Sequence, residues 1–109
     1  MNEPIQRLTD VPSAVWAELA GRTRGVFSDI DDTLTEGGHL VPEACSALHA
    51  LRAAGLRTVL VTGRPLGWAE VLVTLLPVDA AIAENGAVAA LPDGARVYFD
   101  DEDARRLGA

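Results

Sequence analysis

Residues 25–33 read GVFSDIDDT, a short apolar run that leads directly into acidic and hydroxyl side chains. Such a run, followed by turn-forming residues, predicts a buried strand that ends at Asp29. Residues 31–39 are polar and contain two glycines, which predicts a loop. The same plan recurs in residues 58–65, TVLVTGRP, and in residues 80–86, AAIAENG. The sequence therefore predicts three buried strands, each followed by a polar tip.

Amphipathic patterns fill the segments between these strands. From Pro42 to Gly55 the apolar residues recur at steps of three and four, which predicts a helix with a proline start and a glycine end. A second helix with one wide apolar face is predicted from Trp68 to Leu76, where Pro77 stops it. Strands that alternate with helices indicate right-handed βαβ crossovers. The predicted fold class is therefore α/β, a partial doubly wound, Rossmann-like parallel sheet with flanking helices.

The two ends of the chain differ from this central pattern. Residues 1–24 are predicted to be an N-terminal helical extension, with a short helix over residues 13–20. Residues 25–87 are predicted to be an incomplete α/β core. In residues 88–109, two apolar runs flank a Pro-Asp-Gly turn, which is a β-hairpin signal, and an acidic run then opens a last helix.

Composition limits the partners and the location of the protein. The 109 residues carry nine Arg, no Lys and sixteen acidic residues, for a net charge of −7 at pH 7. An acidic surface lacks the basic stripe that phosphate-backbone binding needs, so no nucleic-acid partner is expected. No apolar run reaches the ~18 residues of a membrane span, and the N-terminus lacks a signal-peptide pattern. We therefore expect no membrane association and a cytoplasmic location.

The polar strand tips are the candidate functional residues, because ligands of open parallel sheets bind beyond the carboxyl ends of the strands. Asp29 and Asp31 are two residues apart, so their side chains lean to the same side of an extended backbone. Such a pair can hold Mg²⁺, or one carboxylate can attack a phosphoryl group while the other moves a proton. The Thr62 hydroxyl can donate to a phosphate oxygen, and Arg64 adds a forked cation suited to phosphate.

Each tip also has a purely structural interpretation. The acidic loop can be a solvated, helix-capping segment, and Thr62 before Gly63 can simply end a strand. Arg64 can be a surface charge, and residues 84–86 can be no more than a turn. Their occurrence at three successive strand ends of one predicted sheet favours a functional site.

Three strings resemble the haloacid dehalogenase (HAD) superfamily of hydrolases. Residues 26–35 are similar to its first motif, D-x-D-x-T after an apolar strand, and residues 60–65 to its second, an apolar strand that ends in Thr or Ser. Residues 82–87 resemble the E-N-G-A string of the Cof-type (type IIB) branch, which includes many sugar-phosphate phosphatases. In that branch a large α/β cap follows the third strand, so the hairpin in residues 88–99 would be the start of a cap.

The resemblance implies a Mg²⁺-dependent phosphatase that acts on a small-molecule phosphate ester, with a sugar phosphate suggested by the branch. Asp29 would be the nucleophile that becomes an aspartyl-phosphate, and Asp31 the general acid and then the base. The Asp29 carboxylate and the backbone carbonyl of Asp31 would bind Mg²⁺. Four residues would contact the phosphoryl group or the substrate: Thr62, Gly63, Arg64 and Asn85.

The sequence departs from the family pattern at three points. Asp32 stands where the family usually has Gly. The family's third motif carries a Lys, occasionally an Arg, yet this sequence has no Lys. Its later acidic cluster, residues 100–103, follows a predicted hairpin strand rather than the core strand that precedes the fourth, metal-binding motif. We therefore expect these residues to be the N-terminal part of a longer phosphatase, and by themselves to bind Mg²⁺ weakly and to turn over poorly.

Two other functions remain open. One is a non-catalytic remnant or half-domain that folds only with a missing C-terminal segment or as a homodimer, because open sheet edges invite pairing. The other is a signalling receiver domain, which is phosphorylated on an Asp at the end of a later strand and uses a Lys. The tips at Thr62 and Glu84 offer no such Asp.

Overall fold

The computed structural model describes residues 7–107 of the chain. Single turns of 3-10 helix lie at Leu8–Asp10 and Glu84–Gly86. The helices and strands follow one another in this order: α1 (Ser13–Arg22), β1 (Gly25–Asp29), β2 (Thr35–Glu36), β3 (His39–Leu40), α2 (Pro42–Ala53), β4 (Arg57–Val61), α3 (Leu66–Leu75), β5 (Ala80–Ala83), β6 (Val88–Ala90), β7 (Arg96–Tyr98) and α4 (Asp101–Arg106).

A five-stranded sheet in the order β1-β4-β5-β6-β7 organises the described chain. The β1–β4 and β4–β5 pairs are parallel. In register, Asp29 lies opposite Val61, and Val61 lies opposite Ile82, so the carboxyl ends of the three parallel strands reach the same edge of the sheet. The predicted α/β fold with a parallel sheet and flanking helices is confirmed.

The predicted hairpin in residues 88–99 forms, and it extends the main sheet. Strand β6 pairs antiparallel with β5, and β7 pairs antiparallel with β6. All three residues of β6 are buried, because α3 packs against β6 as well as against β5. The division of the chain at residues 24 and 87, and the assignment of the hairpin to a cap, stay predictions.

The prediction of a plain loop over residues 31–39 is wrong, because a small antiparallel hairpin forms there. Thr35 pairs with Leu40 and Glu36 pairs with His39. Gly37 and Gly38, with φ of 59° and 83°, form the two-residue turn, and two successive positive φ values suit a tight hairpin. The strands are two residues long, too short for an alternating pattern to be visible in the sequence.

The core lies between the β4–β6 part of the sheet and its two crossover helices. Leu60, Ala81 and Val88 are fully buried in the sheet. Helix α2 contributes the buried residues Ala44 and Leu48. Helix α3 contributes three buried residues: Leu66, Ala69 and Val73. The short helices and strands are thus stabilised chiefly by apolar burial on this one side of the molecule.

The prediction that β1 is buried is wrong, since none of its five residues is buried. In residues 7–107 the strand lies at one edge of the sheet and pairs with β4 alone. Phe27, in its middle, is 72% exposed. Helix α1, predicted over residues 13–20 and observed to Arg22, also buries none of its residues.

Within residues 7–107, no helix is both long enough and apolar enough to cross a membrane. The cytoplasmic location stays a prediction.

Candidate functional site

The first strand tip is a tight turn that follows Asp29. The Ile30 carbonyl accepts hydrogen bonds from the N–H groups of Thr33, Leu34 and Thr35. Asp29 Oδ1 accepts the Ile30 N–H at 2.8 Å. This local bond holds the Asp29 carboxylate at the end of β1.

The backbone conformation at Asp32 explains why the family usually has Gly at this position. Its φ is 60°, in the left-handed region. Glycine adopts this region freely, whereas Asp and Asn are among the few other residues that enter it at modest cost. The Asp32 N–H also donates to Thr35 Oγ1 at 3.0 Å, which closes the turn. The departure at Asp32 therefore keeps the shape of the loop.

The second and third tips are joined directly by backbone hydrogen bonds. The Thr62 N–H donates to the Ile82 carbonyl at 2.8 Å, and the Glu84 N–H donates to the Arg64 carbonyl at 3.0 Å. The Thr62 side chain is buried, and its Oγ1 accepts the Arg64 N–H at 3.0 Å. Among the described residues, no acceptor for the Thr62 hydroxyl proton is found.

Glu84, which the sequence predicted only as part of a turn, caps the start of helix α3. Its Oε2 accepts the Leu66 N–H at 2.9 Å, which caps the first turn of α3. A carboxylate at a helix N-terminus satisfies a free donor and interacts well with the helix dipole. This contact spans 18 residues along the chain, so no local pattern in the sequence could have shown it.

Gly63 allows the close approach of the third tip to the second. A Cβ atom at Gly63 would lie 2.7 Å from Asn85 Oδ1, closer than unbonded atoms tolerate. Glu84, Asn85 and Gly86 follow one another with φ of 55°, 56° and 100°. This left-handed run sets the Asn85 side chain against Gly63.

Arg64 links the second tip to the first through the Asp31 carboxylate. Its Nη2 donates to Asp31 Oδ1 at 2.6 Å, and its Nε lies 3.1 Å from Oδ2 and 3.2 Å from Oδ1. The guanidinium carbon also lies 4.6 Å from the centroid of the Trp68 ring, a cation–π contact. The hydrogen bonds from Arg64 lower the pKa of Asp31 below its usual value. Asp31 is therefore held as the carboxylate in this arrangement.

The candidate residues fall into two groups around the sheet edge. Asp31 and Arg64 border a cavity of about 160 Å³, which Trp68 also lines. Asp29, Thr62, Gly63 and Asn85 do not line that cavity. The three tips share one edge of the sheet. Of the four predicted phosphate- or substrate-binding residues, Arg64 borders the cavity with Asp31, whereas Thr62, Gly63 and Asn85 do not.

The two aspartates fit Mg²⁺ by the chemistry of their donors. Mg²⁺ prefers hard oxygen ligands and is commonly held by one or two carboxylates, with water and substrate phosphate completing its shell. In the described part of the chain, no protein hydrogen bond to Asp29 Oδ2 is found, whereas both Asp31 carboxylate oxygens are held by Arg64. No group of three or more His, Cys, Asp or Glu side chains that could hold a metal is found among the described residues. Asp29 is therefore the better side-chain ligand of the two.

A family model described as haloacid dehalogenase-like hydrolase matches residues 26–105, which include all three strand tips. The chain belongs to this family of hydrolases. The predicted resemblance to the HAD superfamily and its Cof-type phosphatases is confirmed.

The curated relatives are much longer proteins. The cation-transporting P-type ATPase B of Mycobacterium tuberculosis and that of Mycobacterium bovis are each 36% identical to this chain over 87 residues. The aligned segment covers 73% of this chain and 11% of the ATPase. This chain therefore spans only a small part of the curated relatives that it matches.

Solved structures with the same fold include HAD hydrolases. BT1666 of Bacteroides thetaiotaomicron, a HAD phosphatase, is 27% identical with a TM-score of 0.59, over 77% of this chain and 33% of that one. A HAD-like hydrolase of B. subtilis is 26% identical with a TM-score of 0.56, over 74% and 30%. Protein 0175 of Thermoplasma acidophilum, at 22% identity and a TM-score of 0.65 over 77% and 39%, shares the fold alone.

Proposed function

We propose that the three strand tips form the phosphoryl-transfer site of a Mg²⁺-dependent phosphatase that acts on a small phosphate ester. The observation that carries this proposal is the junction of the tips at one sheet edge. Arg64 is hydrogen-bonded through its backbone to Thr62 and Glu84, and through its side chain to Asp31. Asp29 ends the strand next to these residues.

The relatives support phosphoryl transfer as the class of reaction. BT1666 is described as a phosphatase. A structure 28% identical to this chain, with a TM-score of 0.58 over 72% of this chain and 31% of that one, comes from a study of an intermediate in a phosphoryl-transfer superfamily. The mycobacterial relatives are ATPases by name. All of these names refer to chemistry at phosphorus.

In the proposed reaction, Asp29 Oδ2 attacks phosphorus and the bond from phosphorus to the leaving oxygen breaks. The leaving alkoxide takes a proton from Asp31, which has taken up that proton from solvent once Arg64 has turned to the phosphate. A water molecule then gives a proton back to Asp31 and attacks the aspartyl-phosphate. This step releases phosphate and restores the Asp29 carboxylate.

The groups at the second and third tips would bind the phosphoryl oxygens. The Thr62 hydroxyl and the Gly63 N–H can donate to them, and Asn85 lies against Gly63. Arg64 must leave Asp31 before that carboxyl can take up a proton, and a phosphate dianion is a suitable alternative partner for its guanidinium. Substrate binding would thus free Asp31 for proton transfer.

Mg²⁺ would be held by the Asp29 carboxylate and the backbone carbonyl of Asp31, where it would neutralise charge on the phosphoryl group. The resemblance of residues 82–87 to the Cof-type branch suggests a sugar phosphate as one substrate class, against which an alcohol suited to the cavity beside Asp31 is tested below. Fold-level analogy is weaker support than the chemistry of the site.

A second candidate function is favoured by the open flank of the sheet. Strand β1 carries Asp29, yet in the described part of the chain it has no buried residue and one neighbouring strand. This observation favours a half-domain whose site is completed by another segment or by a second copy. In that case the described residues would bind phosphate weakly and would not turn over alone.

The experiment that tests the proposal is phosphorylation with acetyl phosphate and Mg²⁺, followed by mapping of the labelled residue. We expect the label on Asp29 and its loss in Asp29→Asn. Asp93→Asn is the matched control, because Asp93 lies in the β6–β7 turn, where its side chain accepts the Ala95 N–H.

A label on another aspartate would contradict the proposal and reopen the receiver-domain interpretation. The absence of any label would contradict phosphoryl transfer by these residues alone and would favour the half-domain. A label on Asp29 that does not hydrolyse would support the first chemical step and place the deficiency in the second.

A further inference from the structure

The cavity beside Asp31 lies between the turn after β1, the β2–β3 hairpin and the start of α3. Its volume is about 160 Å³. Its apolar lining comes from three separate elements: Ile30, Leu40, Trp68 and Leu72. Because these residues are spread over more than forty positions of the sequence, only the folded chain brings them together.

The polar groups that line this cavity already have partners. Asp31 and Arg64 satisfy each other before substrate binds. In the proposed reaction they turn to the leaving oxygen and to the phosphate, so neither is left for further hydroxyl groups. The Thr35 hydroxyl accepts the Asp32 N–H at 3.0 Å and lies 3.4 Å from the Ile30 carbonyl oxygen. A polyhydroxylated group placed here would lose hydrogen bonds to water and find few in return, which is costly for buried hydroxyls.

The size and lining of the cavity instead suit a single ring. An apolar cavity of about 150 Å³ is large enough to take benzene. Trp68 offers an aromatic surface on which a planar group can stack, and it is 52% exposed.

We propose that this cavity receives the leaving group of the phosphate ester, and that it selects an alcohol with one apolar or aromatic ring. This inference rests on the proposed function, because it takes Asp31 as the group that protonates the leaving oxygen. The group attached to that oxygen must then lie next to Asp31, and this cavity is the space that Asp31 borders. Trp68 becomes a specificity-determining residue.

The test compares three ligands by NMR titration of the whole chain in the presence of Mg²⁺: inorganic phosphate, phenyl phosphate and glucose 6-phosphate. We expect phenyl phosphate to bind at least about tenfold more tightly than inorganic phosphate, a gain of about 1.4 kcal/mol. Glucose 6-phosphate should bind within about twofold of inorganic phosphate, since its hydroxyls gain little in the cavity.

Trp68→Ala should reduce the ratio of the inorganic phosphate Kd to the phenyl phosphate Kd to about one. Trp16→Ala is the matched control, because Trp16 lies on α1, does not line the cavity and is similarly exposed, at 44%. That variant should keep the full ratio.

The outcomes separate this inference from the proposed function. Inorganic phosphate that fails to bind, or that binds equally well to Thr62→Val, overturns the proposed function and the leaving-group site with it. Inorganic phosphate that binds through Thr62 while phenyl phosphate binds no more tightly overturns only the inference. A preference for glucose 6-phosphate, or a phenyl preference that survives Trp68→Ala, also overturns it.

Discussion

The two flanks of strand β4 differ in burial, although the strands on both of them carry apolar side chains. On one flank, β5 and β6 are covered by α3, and Leu60 and Val88 are fully buried. On the other flank, β1 ends the sheet, and Phe27 is exposed. An apolar side chain such as Phe27 is thus exposed where its strand lies at the sheet edge, and apolar side chains of the covered strands are buried.

The candidate site crosses the boundary between these flanks. Thr62 and Glu84 belong to the packed flank, where backbone hydrogen bonds join the two tips. Asp29 and Asp31 belong to the open flank, and the Arg64 side chain is the polar link from the packed tips to Asp31. One half of the site is therefore fixed by the core, while the other half depends on a partly exposed ion pair.

The largest expected effect tests the packed flank. Leu60→Ala should lower the free energy of unfolding by about 2–5 kcal/mol, because it leaves a cavity among fully buried side chains. Phe27→Thr, on the open flank, should change it by less than about 0.5 kcal/mol. Urea denaturation followed by circular dichroism measures both.

An equal loss of stability in the two variants would contradict the comparison, because it would mean that Phe27 is covered in solution. Sedimentation equilibrium would then show whether a second copy covers it. A cleanly monomeric wild type that unfolds cooperatively would argue against the homodimer and against dependence on a partner.

An intermediate effect is expected where the packed tips meet. Gly63→Ala should destabilise the protein by about 1 kcal/mol or less, because the new methyl group would lie 2.7 Å from Asn85 Oδ1, the end of an exposed side chain that can turn away. The same change made in an Asn85→Gly background should cost much less, since the opposing oxygen is gone. Thermal unfolding of the four proteins of this double-mutant cycle measures the coupling.

Gly67→Ala is the matched control for this substitution. Gly67 lies in α3, and a Cβ atom there would meet nothing within 4 Å. Alanine should stabilise the protein at this position by about 0.4–1 kcal/mol. A loss of stability at Gly67 as large as that at Gly63 would show that the contact with Asn85 is not the cause.

The smallest effect is expected at the link between the flanks. Arg64→Gln should raise the pKa of Asp31 towards the ordinary value of 3.8, because the guanidinium that stabilises the carboxylate is removed. The wild-type pair stabilises the folded state above pH 3.8, and this stabilisation is lost as the pH falls through the lowered pKa. An NMR titration of the Asp31 carboxyl carbon measures the change.

Arg96→Gln provides the control for Arg64→Gln. It removes a similarly exposed ion pair, with Glu70, that lies away from the site. The Asp31 pKa should stay at its wild-type value in this variant. An unchanged Asp31 pKa in Arg64→Gln would contradict the role of Arg64 as the link. Both variants should change the free energy of unfolding little, because exposed ion pairs contribute little to stability.

Most of the fold could be predicted from local patterns. The three parallel strands and two crossover helices lie within two residues of their predicted ends. The errors concern burial and short elements. The edge position of β1 depends on what pairs with it, and the hairpin of Thr35–Glu36 with His39–Leu40 is too short to have a periodic signal.

The residues of the candidate site could be predicted from the sequence, but the contacts between them could not. The sequence alone determined that acidic, hydroxyl and amide groups follow three apolar strands, because the order of residue types is written in the chain. Only the tertiary structure decided that Arg64 reaches Asp31, that Glu84 caps α3 and that Trp68 lines a cavity. These contacts join residues far apart in sequence, and their geometry is set by strand register and packing, which no local pattern specifies.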